Sequence, residues 1–96
     1  MYTGVVSFEW DPGKAAANVR KHGVQFAEAR AVFDDDYAVT IKDVASDPDE
    51  ERFVTIGIGI KGRVLAVVYC YRAGNIRIIS ARTAGWAERQ QYEAQR

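Results

Sequence analysis

Apolar positions along this chain follow two different periods, and the change between them divides it. The opening stretch VVSFEW (5–10) has the make-up of a short strand. Asp11-Pro12 comes next. An Asp can accept from the free N–H groups of a first helical turn, and Pro at the first helical position loses nothing by lacking an N–H. The spacing therefore predicts a helix through KAAANVRKH, with Ala15, Ala16 and Val19 as its apolar stripe and Gly23 closing it in the left-handed conformation. Phe26, Ala29, Val32 and Phe33 keep helical spacing, which predicts a second helix over 27–33, stopped by three Asp residues.

From residue 37 the period becomes two. YAVTIKD (37–43), RFVTIGIGI (52–60), RVLAVVYCYR (63–72) and IRIISAR (76–82) are predicted strands. They are separated by the loop ASDPDEE with Pro48 as its breaker, a tight Lys61-Gly62 turn and an Ala73-Gly74-Asn75 turn. The segment WAERQQYEAQR (86–96) suits a closing helix that packs through Trp86, Ala87 and Tyr92, and both Trp10 and Trp86 are expected in the core. The expected fold class is α+β: N-terminal helices and a C-terminal helix on one face of a small antiparallel meander, with residues 1–96 as a single domain.

Composition narrows the class. Hydrophobic residues at 48% and charged residues at 27% exclude general disorder. The longest apolar run, VLAVVYCY (64–71), is far below the roughly 20 residues of a membrane span, so a soluble, cytoplasmic chain with no membrane partner is expected. The one cysteine, Cys70, has no partner for an internal disulfide and is expected as a reduced thiol within a strand. The formal net charge is zero, yet the charges are not mixed. Residues 34–51 hold eight acids against Lys42, whereas residues 52–82 hold Arg52, Lys61, Arg63, Arg72, Arg77 and Arg82 with no acid. Such asymmetry suits a polyanion-binding face, and suits equally a solvated surface whose two blocks pair with each other.

Side-chain alternation sharpens the first alternative. In their strands Arg52, Arg63 and Arg82 each end a mainly apolar face. If these faces converge, three planar guanidinium forks form a phosphate site; if not, each snorkels over the sheet rim. His22 is the only imidazole. Beside Arg20, Lys21 and Gly23 it reads as the last turn of a helix, or as an acid–base group able to exchange a proton near neutral pH. No Cys/His cluster, phosphate loop or calcium loop competes, so no metal or cofactor is expected.

Three blocks, FEWDPGKAAANVRKHGVQFAEARAVFDD (8–35), EERFVTIGIGIKGRVLAVVYCYR (50–72) and IRIISARTAGWAERQQYE (76–93), closely resemble the BrnT toxins of bacterial type II toxin–antitoxin systems. They cover most of the chain in the expected order. Ala27 departs from the pattern, since the family more often has Glu there. The resemblance implies a RelE-like fold and metal-independent RNA cleavage that inhibits translation. It also implies a BrnA-like ribbon-helix-helix antitoxin forming a hetero-oligomer with the chain, so that DNA is reached only through that partner. On this reading Arg82, Arg52 and Arg63 contact the phosphate, His22 is the acid or base, and Lys21 assists electrostatically. Arg77, Arg72, Tyr69 and Tyr92 would bind RNA, the tyrosines by stacking an unpaired base, and Glu51 is a weaker candidate for proton transfer. A non-catalytic RNA- or antitoxin-binding module would use the same arginines.

Overall fold

The computed structural model describes residues 6–43 and 49–96. The start of the predicted 5–10 strand and the Pro48 part of the predicted loop lie outside the described residues. The order of elements is β1 (Phe8–Glu9), α1 (Pro12–His22), α2 (Phe26–Ala29), a 3₁₀ segment (Arg30–Asp34), β2 (Val39–Lys42), β3 (Phe53–Ile58), β4 (Val64–Arg72), β5 (Asn75–Thr83) and α3 (Trp86–Glu93).

Local chemistry accounts for α1 as expected. The Asp11 carboxylate accepts from the Lys14 N–H at 2.9 Å, Pro12 opens the helix, and Gly23 closes it at φ 68° with its N–H donating to the Val19 carbonyl. The stripe is different, however. Val19 is 42% exposed, and the buried residue of α1 is the polar Asn18. The second predicted helix is a single α-turn that tightens into the 3₁₀ segment, which buries Phe26, Ala29 and Val32 in a shorter length.

The strands pair in the order β1-β5-β4-β3-β2. Strands β3 to β5 are the expected antiparallel meander, β2 extends it antiparallel to β3, and β1 adds to β5 in parallel, making the sheet mixed. The β4–β5 turn is the two-residue pair Ala73-Gly74, with φ 51° and 81°. This is the left-handed geometry that lets a hairpin follow the strand twist.

Helices cover both faces of the sheet, not one. On the first face Val24, Phe26, Ala29 and Val32 pack on Leu65, Val67, Tyr69, Ile76, Ile78 and Ala81, with Trp10 at the margin. On the second face Tyr92 of α3 packs on Val54, Ile56 and Ala66. The expected Trp86 contact is absent: Trp86 is 78% exposed, and Ala87 is exposed as well. Burial of each large aliphatic side chain contributes about 1.5–3 kcal/mol, and the two-sided packing explains why β3 and β4 are apolar at almost every position.

A β-bulge in β5 decides which face its polar residues take. Ser80 opposes Val68 but Ile78 opposes Tyr69, so Ile79 is an extra residue. The bulge resets the alternation. Ile76 and Ile78 join the first-face core with Ala81, whereas Arg77, Ser80 and Arg82 turn to the second face. Strict alternation would instead group Ile76 and Ile78 with Ser80 and Arg82.

Candidate active site

β1 pairs with Ile76 and Arg77, and among the described residues no strand pairs with the outer edge of β5 beyond them. An unpaired buried peptide group costs roughly 1–3 kcal/mol. Asn18 of α1 supplies the partner. Its side-chain nitrogen donates to the Ala81 carbonyl at 2.8 Å and to the Val24 carbonyl at 2.9 Å, and its oxygen accepts from the Ala81 N–H at 3.1 Å. One carboxamide thus replaces the peptide unit of a missing strand and fixes α1 against β5. Asn18→Ala is expected to lower unfolding stability by about 2 kcal/mol in urea titration, since three buried groups lose their partner; an unchanged midpoint would rule out this anchoring role.

The anchoring creates a groove of about 210 Å³ lined by Lys14, Ala17, Asn18, Lys21, His22, Ile79 and Ser80. Its ionisable lining is two lysines and the imidazole, with no acid. Lys21 and His22 are the last turn of α1, where cations suit the negative end of the helix dipole. Helix end and groove wall are therefore the same feature. The bulge places Ser80 opposite them.

Arg82 lies two residues beyond Ser80 on the same face, about 7 Å along the strand. Its Nη1 and Nη2 donate to Glu88 Oε1 and Oε2 at 2.7 and 3.0 Å, and Glu88 Oε1 also accepts from the Gly85 N–H at 2.8 Å. The Arg82 hydrogen bonds hold the Glu88 carboxyl below the usual carboxylate range, against the opposing effect of burial. The same bonds raise the Arg82 guanidinium. A guanidinium has five N–H donors, so this fork leaves three. Glu88 was not among the expected site residues. Its signal in the sequence is its place three residues after Gly85, a spacing that lets the carboxylate accept from the N–H at the start of the helix.

The three expected arginines do not converge. Arg63 sits on the first-face side, its Nε and Nη2 on the buried Glu28 at 3.0 and 2.6 Å and its Nη2 also on the Gly23 carbonyl at 3.1 Å. It ties β4 to α2 and to the end of α1. Arg52 shares a face with Arg82 but lies far along it. Arg82 opposes Ala66, whereas Arg52 precedes Phe53, which opposes Tyr69. The offset is about 13 Å along β4. Arg72 and Arg77 lie at that same distant end.

Neither tyrosine expected to stack a base is free to do so. Tyr69 is buried, with its hydroxyl on Thr55 Oγ1 at 2.8 Å and its ring against Phe33 and Phe53. Tyr92 is buried and donates to Asp35 Oδ2 at 2.6 Å. Glu51 pairs with Lys42 at 3.3 Å at the opposite sheet edge. Among the described residues no three His, Cys, Asp or Glu side chains come together as metal ligands. No described helix is long and apolar enough to cross a membrane.

The α+β architecture, a five-stranded mixed sheet with three helices, is matched by a solved ribonuclease toxin. The 1.1 Å crystal structure of the Brucella abortus ribonuclease toxin BrnT superposes with a TM-score of 0.64 at 24% identity, covering 84% of this chain and 99% of that one. The model of the family described as "Ribonuclease toxin, BrnT, of type II toxin-antitoxin system" matches residues 10–88, and the chain belongs to that family. The matched stretch contains Asn18, the groove, the bulge, Arg82 and Glu88. Membership implies an RNA target and an antitoxin partner. No curated protein matches the chain in sequence.

Proposed function

We propose that the chain is a RelE-like endoribonuclease that cleaves RNA without a metal ion and thereby inhibits translation in the cytoplasm. It is restrained by a BrnA-like antitoxin that carries a ribbon-helix-helix DNA-binding domain, so DNA is met only through that partner. The observation that carries the catalytic reading is the groove: Lys14, Lys21, His22 and Ser80 share one lining, and Arg82 is next on the Ser80 face.

Metal-free cleavage uses the 2′-OH of the RNA as nucleophile on the adjacent phosphate. It needs a base at the 2′-OH, an acid at the departing 5′-oxygen, and donors for the charge that builds on the phosphorane. His22 is the acid or base. The three N–H groups of Arg82 outside the Glu88 fork bind the phosphate, Lys21 and Lys14 add positive potential, and the Ser80 hydroxyl donates to a phosphate or ribose oxygen. Glu88 orients Arg82.

Purified protein with end-labelled single-stranded RNA is expected to give products ending in a 2′,3′-cyclic phosphate, at the same rate with and without EDTA. His22→Ala should lower that rate by about 100-fold or more. Loss of cleavage on chelation overturns the metal-free mechanism, and a full rate in folded His22→Ala overturns the role of His22. The Glu88 fork on Arg82 favours one second reading, a non-catalytic RNA-binding module, because the central cation is already partly neutralised. RNA binding with no cleavage supports that reading.

A further inference from the structure

The ion pairs of the basic strands fall into two geometric kinds. Arg82 and Arg63 grip their carboxylates in short two-point forks. Arg52, Arg72 and Arg77 do not. Arg52 Nε is 3.7 Å from Glu50 Oε1, Arg72 Nη2 is 3.6 Å from Glu50 Oε2, and Arg77 Nη1 is 3.5 Å from Glu9 Oε1. These are ionic contacts beyond good hydrogen-bonding distance. Among the described residues, Arg52 Nε and Glu9 Oε1 are buried without a hydrogen-bond partner.

All three guanidinium groups belong to the second face. Arg52 follows the parity of Val54, Arg72 that of Cys70, and Arg77 opposes Cys70 across the β4–β5 pair. Cys70, itself buried, is the floor beneath them. Burial first, then the Glu50 charge, push its thiol up even though Arg72, Arg77 and Arg52 are all close enough to pull it down. In the ion pairs of the described residues, these three cations share the carboxylates of Glu50 and Glu9, with donors left over. A phosphate oxygen would supply the acceptors that Glu50 and Glu9 do not. A strand face suits an extended polyanion better than an enclosed small molecule, and this one continues the face that carries Ser80 and Arg82.

We propose that Arg52, Arg72 and Arg77 form a second phosphate subsite, which holds the backbone of single-stranded RNA about 13 Å along the sheet from Arg82. The subsite rests on the ribonuclease reading only for the identity of its ligand. It binds substrate flanking the cut and takes no part in bond breaking.

The test uses fluorescence anisotropy with a short single-stranded oligonucleotide whose riboses are 2′-O-methylated, so that no cleavage is needed. Wild-type protein and the Arg72→Gln/Arg77→Gln variant are titrated across a salt series. Two lost phosphate contacts should reduce the slope of log affinity against log salt by about 1.4, with affinity down about tenfold at low salt. A wild-type slope in a variant that melts at the wild-type temperature overturns the subsite. If the variant does not fold, the Nε–H resonances of Arg52, Arg72 and Arg77 in wild-type protein decide: they shift on addition of the oligonucleotide, and unmoved resonances overturn the proposal. A protein that fails to cleave but shows the slope change loses the catalytic reading and keeps the subsite.

Discussion

Arg82→Ala is expected to lower the rate of RNA cleavage by a factor of about 100–1,000, the range found when a preorganised donor to a developing anion is removed. The effect follows from how Arg82 is held. Glu88 grips both terminal nitrogens, and Glu88 is itself fixed by the Gly85 N–H at the start of α3. The remaining donors are thus aimed before RNA arrives. Lys at this position keeps the charge and loses the fork, so Arg82→Lys should recover only part of the rate. Glu88→Gln separates aim from charge: Arg82 stays, its orientation loosens, and kcat should fall more than substrate affinity. Initial rates are read beside melting temperatures, because Arg82 also ties β5 to α3. A folded Arg82→Ala protein with wild-type turnover would falsify the assignment.

The parts of this site that were legible in the sequence are those set by neighbours in the chain. Asp11, Pro12 and Gly23 bound α1 through backbone geometry alone, so the position of Lys21 and His22 at a helix end could be read directly. The meander from β3 to β5 was legible for the same reason, each turn following the strand it closes. What could not be read depends on distant partners. Asn18 lies 63 residues from Ala81, and nothing in KAAANVRKH marks one amide as the cap of a strand edge. The bulge at Ile79 is invisible to strict alternation, and one extra residue moves Ile76 and Ile78 to the face opposite Ser80 and Arg82. With α3 on the second face, Tyr92 fills the core and Trp86 is left outside.

Charge patterning misled in an instructive way. The acids of 34–51 were one expected set of partners for the basic block, yet Arg63, Arg77 and Arg82 pair with Glu28, Glu9 and Glu88 from other segments. Glu50 of that block does reach two arginines of the second face, shared between Arg52 and Arg72. Asp35 is used differently. Its Oδ2 accepts from the Ile58 N–H at 2.9 Å as well as from Tyr92, and its Oδ1 accepts from the Tyr37 N–H. An acid counted in the charged block is in fact a structural joint.

Tyr92→Ala is expected to be the most destabilising single change in α3, at about 3–5 kcal/mol, because it removes a large ring from the second-face core. Tyr92→Phe keeps the ring and loses only the hydroxyl bond to Asp35, at about 1–2 kcal/mol. The pH profile separates the two contributions. Burial pushes the Asp35 carboxyl up, but the Tyr92 hydroxyl and the N–H groups of Ile58 and Tyr37 outweigh it, and Arg96 adds to them, so the group is held below its ordinary range. Its stabilisation is present above the unfolded value and is lost as pH falls through the lower, folded one. Tyr92 has the opposite sign. Burial and then the Asp35 bond raise its phenol from 10.0 to about 12, so its stabilisation is full below pH 10 and declines toward 12. Urea midpoints measured across pH should therefore fall at both ends in the wild type. In Tyr92→Phe the alkaline fall should shrink, and the acid fall should soften because one donor to Asp35 is gone. A Tyr92→Phe profile parallel to the wild type at both ends would show that the pair does not couple α3 to the sheet.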